Sequence, residues 1–266
     1  TRTIDIPTYQ TAVVRNCSPT LAGIKPASLF TYPGVYANQN GKLGIAQIEE
    51  RRSRLLAVIA QCNRELQPLG IHMSVLVWRP CGALIYVYRP ADLMRYLSDP
   101  RAATALVAEG YDVHNLPASL VHLAARITLA SSNAAESAYD SSVCALARNR
   151  HCDTGYTCEF PHEIGYFLGY PYEDVHQFIA NTANYKVFGA WKVYTNVEQA
   201  LTTFDSYRAC TQYLTHIYQQ GHSLAKLAQA ADRTYKPRPH AAQPKGLNMS
   251  KIAVVYWSGT GTVSYT

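Results

Sequence analysis

The sequence predicts an α+β domain in which a small, mainly antiparallel sheet is surrounded by helices. Two apolar runs within residues 71–89 flank an Arg-Pro-Cys-Gly turn at 79–82, which is the pattern of a β-hairpin. Residues 186–194 are predicted to add a third strand. Apolar residues recur at helical spacing over 44–69 and 197–219, before and after these strands in the chain.

The beginning of the chain divides into a loop-rich segment and a long helix. Residues 1–43 contain prolines at intervals and are expected to form mainly loops. The helix over 44–69 is expected to stop at Gly70, because glycine is common just past a helix end. The hairpin strands that follow are apolar on both faces, which predicts a sheet covered by other elements on both sides.

The remaining helices are predicted from apolar spacing and from their first residues. Pro161 and Pro171 each fit the first position of a helix, where a missing N–H costs little. Asn196 is a suitable N-cap. Between these helices, residues 131–158 are rich in Ser, Ala and Asn and predict a long loop. The predicted helices span 90–97, 100–109, 116–130, 161–169, 171–181, 197–219 and 223–233.

Composition divides the chain into three parts. Residues 1–233 are predicted to form the α+β domain, and residues 234–248 are a linker by composition. Apolar residues return abruptly at Met249, so residues 249–266 are expected to form a separate segment.

The overall composition excludes several classes of protein. Apolar residues make up 48% of the 266 residues and charged residues only 16%, which argues against intrinsic disorder. No apolar run is long enough to predict a membrane-spanning helix. The net charge of +6 is spread along the chain, so nucleic-acid binding is not expected. The 20 tyrosines indicate an aromatic-rich groove, a subunit interface or interior packing.

The cysteines bear on the location of the protein. There are 7 of them, an odd number, and they are widely spaced. With no secretory leader in front of them, this pattern favours reduced thiols over a disulfide framework. We therefore expect a cytoplasmic protein.

The segment 160–175 holds the most informative polar residues. His162 could act as an acid–base group or a metal ligand, with Glu163 orienting it or serving as a second ligand. Alternatively, Glu163 complements the positive end of a helix and His162 packs at the surface. Asp174 is expected to have a similar charge role at the start of the next helix. Gly165 and Gly169 predict a smooth helix face, against which a second backbone or a flat ligand could pack.

Two lysines complete the candidate residues. Cys17 lies near Lys25, and a cysteine beside a lysine can be reactive, whereas a buried thiol is inert. Lys192 stands on a largely apolar strand face and is expected to pair with Glu163 or Asp174. Such a pair can be structural, or the lysine can be catalytic.

A metal site is a further possibility. His151, Cys152, Cys158 and His162 are residue types that bind zinc. However, five residues separate the two cysteines, which is not the spacing of a zinc knuckle, and a loop is a poor place for a stiff site. A mobile loop without a bound metal is therefore the other interpretation.

Four stretches together resemble a bacterial family, the domain-of-unknown-function family 3793. They occur in the order of that family and cover roughly residues 10–230. The resemblance implies one compact α+β domain and no established activity. The four stretches are CSPTLAGIKPASLF at 17–30, LIYVYRP at 84–90, FPHEIGYFLGYPYEDV at 160–175 and GAWKVY at 189–194.

The segment 249–266 resembles the beginning of a flavodoxin, namely its first strand and phosphate loop. In that family the loop holds the phosphate of FMN at a helix N-terminus. Thr262 and Val263 depart from the usual Asn and hydroxyl residue. One strand and half a loop cannot hold a flavin, so no cofactor is expected here, and FMN only with a complete flavodoxin domain. The matching positions are Ser258, Thr260 and Gly261.

These observations predict a cytoplasmic accessory or interaction domain without catalysis, which works beside a flavodoxin-type protein. An alternative is metal binding through 151–163. The other alternative is an enzyme of unknown reaction. Its catalytic residues would be Cys17, Lys25, His162, Glu163 and Lys192.

Overall fold

The computed structural model describes residues 4–38, 44–137, 161–180 and 184–234. These residues form an α+β fold, as the sequence predicts. In chain order the elements are α1 (Ile6–Leu21), β1 (Ala27–Tyr32), α2 (Ile45–Leu66), a 3₁₀ turn (Gln67–Leu69), β2 (His72–Arg79), β3 (Gly82–Tyr88), α3 (Pro90–Leu97), α4 (Pro100–Ala108), α5 (Leu116–Ser137), α6 (Ile164–Phe167), α7 (Tyr172–Ile179), β4 (Val187–Phe188), β5 (Lys192–Val193), α8 (Val197–Gln219) and α9 (Leu224–Thr234).

The main sheet has three antiparallel strands in the order β1-β3-β2. Ile85 in the central strand lies opposite Phe30 on one side and Val75 on the other. The predicted hairpin therefore forms the β2–β3 pair, with a register shift between Val75 and Val77. Because side chains alternate along a strand, β3 presents apolar residues to both faces of the sheet.

Each face of this sheet is covered by a separate group of helices. Ile85 and Val87 point into a cluster built with α1, α2, α8 and α9. Leu84 and Tyr86 point into a second cluster built with α3 to α7. The prediction of a sheet covered on both sides is confirmed, and the domain has three layers.

The prediction that residues 1–43 are mainly loops is wrong, because this segment contains α1 and β1. Pro7 is in the first turn of α1, where no intrahelical N–H bond is lost. Pro19 lies inside the last turn, where its missing N–H removes one intrahelical hydrogen bond without ending the helix before Leu21. Asp5 caps the helix by accepting a hydrogen bond from the Thr8 backbone N–H at 2.8 Å.

The prediction of a third strand over 186–194 is also wrong. The segment folds into β4 and β5, two short strands that pair with each other and not with the main sheet. Gly189 turns the chain between them and packs on the ring of Phe204, only 2.2 Å from where a Cβ would stand. That close contact fixes the turn against α8. The third strand of the main sheet is β1 instead.

Most of the predicted helices are confirmed, with two differences of length. The helix predicted over 161–169 is only α6 (Ile164–Phe167), so Pro161 precedes the helix, and Pro171 is the N-cap of α7 where the sequence predicts the first helical residue. Helix α5 continues past residue 130 to Ser137, so the first part of the loop predicted over 131–158 is helical instead. The rest of that loop, the linker from residue 235 onward and the segment 249–266 lie outside the described residues.

Two further findings concern membrane-spanning helices and the cysteines. In the ranges given above, no helix combines the length and the apolar character that crossing a bilayer requires. The cysteines within those ranges carry free thiols, and Cys81 is the exposed one. The other three are buried in the cluster beneath α1, α2 and α8.

Candidate functional site

A groove of about 520 Å³ opens on one side of the domain. It is lined by the 23–26 loop between α1 and β1, by α3, and by the first turns of α4 and α7. Lys25 lies in this wall, and we call the site the Lys25 groove. Its volume lies in the range of small-molecule sites, about 300–1,000 Å³.

The ammonium group of Lys25 lies between two aromatic rings. Its Nζ is 5.0 Å from the ring centroid of Tyr170 and 5.8 Å from that of Tyr207. Such contacts attract a cation to the ring faces. Burial lowers the pKa of Lys25 to about 8, and the nearby Cys17 opposes part of that change. At neutral pH the amine is still mainly protonated, but it gives up its proton more readily than an ordinary lysine.

The other charged side chains of the groove are paired with each other. Arg95 forms an ion pair with Asp92 in α3. Arg101 bridges Asp99 and Glu173, and so joins the start of α4 to the start of α7.

Lys25 differs from these side chains. Among the residues that the structure describes, no carboxylate lies within ion-pair distance of Lys25 and no group accepts a hydrogen bond from it. Within the described ranges, Lys25 is therefore the one cation of the groove lining without an ion-pair partner, although the lining as a whole is charge-balanced, because Arg101 pairs with two carboxylates.

Tyr96 lines the groove, and three further tyrosines that are not part of its lining lie near Tyr96 or Lys25: Tyr166, Tyr170 and Tyr207. We call the four of them the tyrosine cluster. Burial raises the pKa of Tyr96 well above its usual value, and the nearby Tyr166 and Tyr207 raise it further. Tyr207 in turn lies close to Tyr170. The cluster thus connects Lys25 on one wall with Tyr96 on the other.

Local backbone contacts fix the position of the 23–26 loop. Gly169 has a φ of +70°, and a Cβ at this position would stand 2.2 Å from Pro26. Only glycine combines that conformation with so close an approach. On the other side, Arg89 donates hydrogen bonds to the carbonyl oxygens of Thr20 and Leu21, at 2.8 and 2.7 Å. The contact of Gly169 with Pro26 and the hydrogen bonds of Arg89 to the end of α1 therefore fix the backbone on both sides of Lys25.

Comparison with known proteins identifies the family. The family model described as a protein of unknown function, DUF3793, matches residues 13–228. The chain belongs to the DUF3793 family. No curated protein and no solved structure matches it. The family resemblance noted in the sequence is confirmed, whereas the likeness of residues 249–266 to flavodoxins stays a prediction.

Cys17 of the DUF3793 domain lies in the core under the groove. Its side chain is fully buried in α1. Burial raises the pKa of the thiol far above its usual value, and Lys25 offsets only part of that change. The thiol therefore stays protonated at neutral pH, in the state that is not nucleophilic.

His162 and Lys192 meet at a different aromatic ring. The His162 ring packs edge-on against Phe178 at 4.9 Å between centroids. The Nζ of Lys192 lies 5.0 Å from the centroid of the same ring and 5.3 Å from that of Tyr185. Lys192 thus contacts aromatic rings where an ion pair is predicted.

The predicted ion pair of Lys192 with Glu163 or Asp174 is wrong, because both carboxylates have other partners. Glu163 is buried, accepts a hydrogen bond from the Tyr111 hydroxyl at 2.8 Å and pairs with Arg126 at 3.0 Å. Asp174 is also buried and accepts four hydrogen bonds from the segment 191–195. The five candidate catalytic residues therefore fall into three groups. They are Cys17 with Lys25, His162 with Lys192 at the ring of Phe178, and Glu163 with Tyr111 and Arg126.

Several other candidate positions lie outside the described residues. They are His151, Cys152 and Cys158 of the predicted metal site, and Ser258, Thr260 and Gly261 of the flavodoxin-like loop. Within the ranges that the structure covers, no three His, Cys, Asp or Glu side chains are grouped for a metal ion. The metal site and the phosphate loop stay predictions.

Sequence reasoning points to Lys25 but not to the residues that surround it or line the groove with it. Tyr96, Tyr170, Tyr207 and Arg101 come from separate elements, and no short motif connects them. The high tyrosine content is the one signal that indicates an aromatic-rich groove. The smooth face predicted from Gly165 and Gly169 turns out to be packing, since Gly165 contacts Val175 and Gly169 contacts Pro26.

Proposed function

We propose that the DUF3793 domain is a non-catalytic accessory domain that binds a small ligand in the Lys25 groove. The observation that carries this proposal is the unpaired ammonium of Lys25 in a groove where Arg95 and Arg101 are paired. A cation taken partly out of water without an ion-pair or hydrogen-bond partner is unfavourable in the free protein. A ligand that supplies the missing interactions would offset this cost.

The placement of the other candidate residues favours binding over catalysis. A nucleophile and its base need to lie within hydrogen-bond reach of each other. Cys17 is fully buried below the groove, Glu163 is engaged by Tyr111, and Lys192 packs on Phe178. Lys25 alone of the five faces the groove.

Equilibrium dialysis against a small-molecule cell extract tests this proposal. We expect the wild-type protein to retain at least one compound that the Lys25→Met variant does not retain, as identified by mass spectrometry after denaturation. The matched control is Lys226→Met, which changes an exposed lysine on α9. An identical set of retained compounds for the wild type and Lys25→Met would contradict the proposal.

A link to flavodoxin-type redox proteins is a second proposal, and the resemblance of residues 249–266 supports it. We expect the immobilised full chain to capture a purified, FMN-loaded flavodoxin but not an unrelated acidic protein of similar size. A pull-down in which flavodoxin is recovered no better than the unrelated protein would count against the link.

Two alternatives remain as predictions. The enzyme alternative has its strongest support in Lys25, because an amine with a lowered pKa is a better nucleophile at neutral pH. The metal alternative rests on His151, Cys152, Cys158 and His162, of which the structure describes only His162.

A further inference from the structure

The hairpin formed by β4 and β5 has an inner face that packs in the domain and an outer face that points away from it. Val187 and Val193 lie opposite each other on the inner face and pack with Phe204 of α8 in a small core. The next pair along the hairpin is Phe188 and Lys192. Because side chains alternate along a strand, this pair belongs to the outer face.

Aromatic and apolar side chains continue the outer face onto the end of α7. The rings of Tyr185 and Phe188 contact each other with their centroids 6.2 Å apart. Lys192 bridges from the hairpin to α7, since its Nζ lies near the rings of both Tyr185 and Phe178. Tyr185 is 46% exposed, and Ile179, which follows Phe178 in α7, is 44% exposed. We call this surface the hairpin patch, and its residues are Phe178, Ile179, Tyr185, Lys186, Phe188 and Lys192.

The hairpin patch carries positive charge. Lys186 is exposed, and its Nζ donates a hydrogen bond to the carbonyl oxygen of Thr195. Among the residues that the structure describes, no carboxylate lies within ion-pair distance of Lys186 or Lys192. Asp174 lies beneath the hairpin, but it is buried and its oxygens accept hydrogen bonds from the segment 191–195. The two lysine charges of the patch are therefore not neutralised by ion pairs with the described carboxylates.

Exposed rings beside unpaired lysines are typical of a surface that binds another protein. A contiguous group of exposed apolar side chains indicates an interaction site. Aromatic side chains are enriched at the centres of protein–protein interfaces, and charges around them attract a partner of opposite charge. A nucleic acid fits less well, because two lysines neutralise few phosphates. The chemistry of the patch therefore favours a protein with an acidic surface.

We infer that the hairpin patch binds a partner protein whose carboxylates face Lys186 and Lys192 and whose apolar groups pack on Tyr185. The inference rests on the second proposal above, the link to a flavodoxin-type protein, and specifies the surface of this chain that such a partner contacts. The residues of the patch are distinct from those that line the Lys25 groove. A ligand in the groove and a protein at the patch therefore do not compete for the same side chains.

Binding of an FMN-loaded flavodoxin of net negative charge to the immobilised full chain tests the inference. We expect Tyr185→Ser to weaken the affinity about tenfold, because it removes an aromatic anchor of the interface. Its matched control is Val121→Ser, which changes an exposed apolar residue on α5 and leaves the affinity unchanged. Tyr185 and Val121 are both exposed, so both variants are expected to keep the fold, which circular dichroism checks.

A charge reversal tests the electrostatic part of the inference. We expect Lys186→Glu to weaken flavodoxin binding by about threefold or more and to make it less sensitive to salt, because a steering charge is lost. Lys226→Glu is the matched control, since it makes the same change at an exposed lysine on α9 and alters the net charge equally. It separates a contact at the patch from a general attraction between a basic chain and an acidic protein.

The outcomes distinguish this inference from the proposed flavodoxin link. If either patch variant binds flavodoxin as tightly as its control does, the link stands but another surface carries it, and the inference is overturned. If the wild type binds flavodoxin no better than an unrelated acidic protein of similar size, the link and the inference both fail. Binding of a single-stranded DNA oligonucleotide in place of flavodoxin, lost in Lys186→Glu, would overturn the inference in favour of a nucleic-acid site.

Discussion

Replacement of Asp174 by alanine is expected to lower the free energy of unfolding by about 3–5 kcal/mol. The Asp174 carboxylate is 2% exposed. One oxygen accepts from Trp191 Nε1 at 2.7 Å, and the other accepts from the backbone N–H groups of Tyr194 and Thr195, at 2.8 and 3.1 Å, and from the Thr195 hydroxyl. Alanine leaves these donors buried without an acceptor, which costs more than the lost bonds alone.

Urea denaturation of matched variants measures this effect. Asp92→Ala is the control, because Asp92 makes an ion pair with Arg95 within the exposed part of α3 and its loss is expected to cost less than about 1 kcal/mol. Asp174→Asn keeps one carbonyl oxygen as an acceptor, so its loss of free energy of unfolding should lie between those of Asp174→Ala and Asp92→Ala. If Asp174→Ala costs no more than Asp92→Ala, the carboxylate does not hold α7 to the 191–195 segment.

The role of Asp174 shows where sequence reasoning stops. Its position in the first turn of α7 is correctly associated with a charge at the helix start. Its partners, however, lie 17 to 21 residues further along the chain. Nothing in the local pattern connects a carboxylate in one helix to the backbone of a later hairpin, so this contact could be found only in three dimensions.

Secondary-structure elements with a strong period of apolar residues were predictable from the sequence. Elements whose formation depends on where neighbouring residues fall in the fold were not. The β2–β3 hairpin and helices α2 and α8 follow directly from apolar spacing, a turn signal or a cap. Helix α1 and strand β1 were missed because prolines in their neighbourhood indicate loops. The effect of Pro7 depends on where the helix begins, which the Asp5 cap sets.

In the candidate site, too, one feature was predictable from the sequence and another was not. The sequence points to Lys25 because it lies near Cys17, and the structure places the two groups close enough to affect each other's pKa. The unpaired state of Lys25 was not predictable, because Tyr170 and Tyr207 reach it from the α6–α7 connection and from α8. Whether a lysine has a counter-charge is decided by such distant elements.

Lys25→Met is expected to raise the free energy of unfolding by about 1–3 kcal/mol at pH 7. Burial lowers the pKa of Lys25 from its usual 10.5 to about 8 in the folded protein. The charged form is therefore less stable in the folded state than in the unfolded chain. Methionine has a similar length and no charge, so it removes that cost and keeps apolar packing on the rings of Tyr170 and Tyr207, while the smaller cation–π attraction is lost. Lys226→Met, at an exposed site, should change stability by less than about 0.5 kcal/mol.

The difference in the free energy of unfolding between the wild type and Lys25→Met should depend on pH, and this dependence identifies its cause. Between pH 8 and 10.5 the unfolded chain still holds the Lys25 proton while the folded protein has released it, so the wild type gains stability relative to Lys25→Met as the pH rises. Buried Cys17, Tyr96 and Tyr207 have raised pKa values and act in the opposite direction, but they are present in both proteins and largely cancel in the difference. A stability gap that is the same at pH 7 and pH 9.5 would show that the lysine charge is not its source. A gap that closes would show that the charge of Lys25 lowers the stability of the free protein.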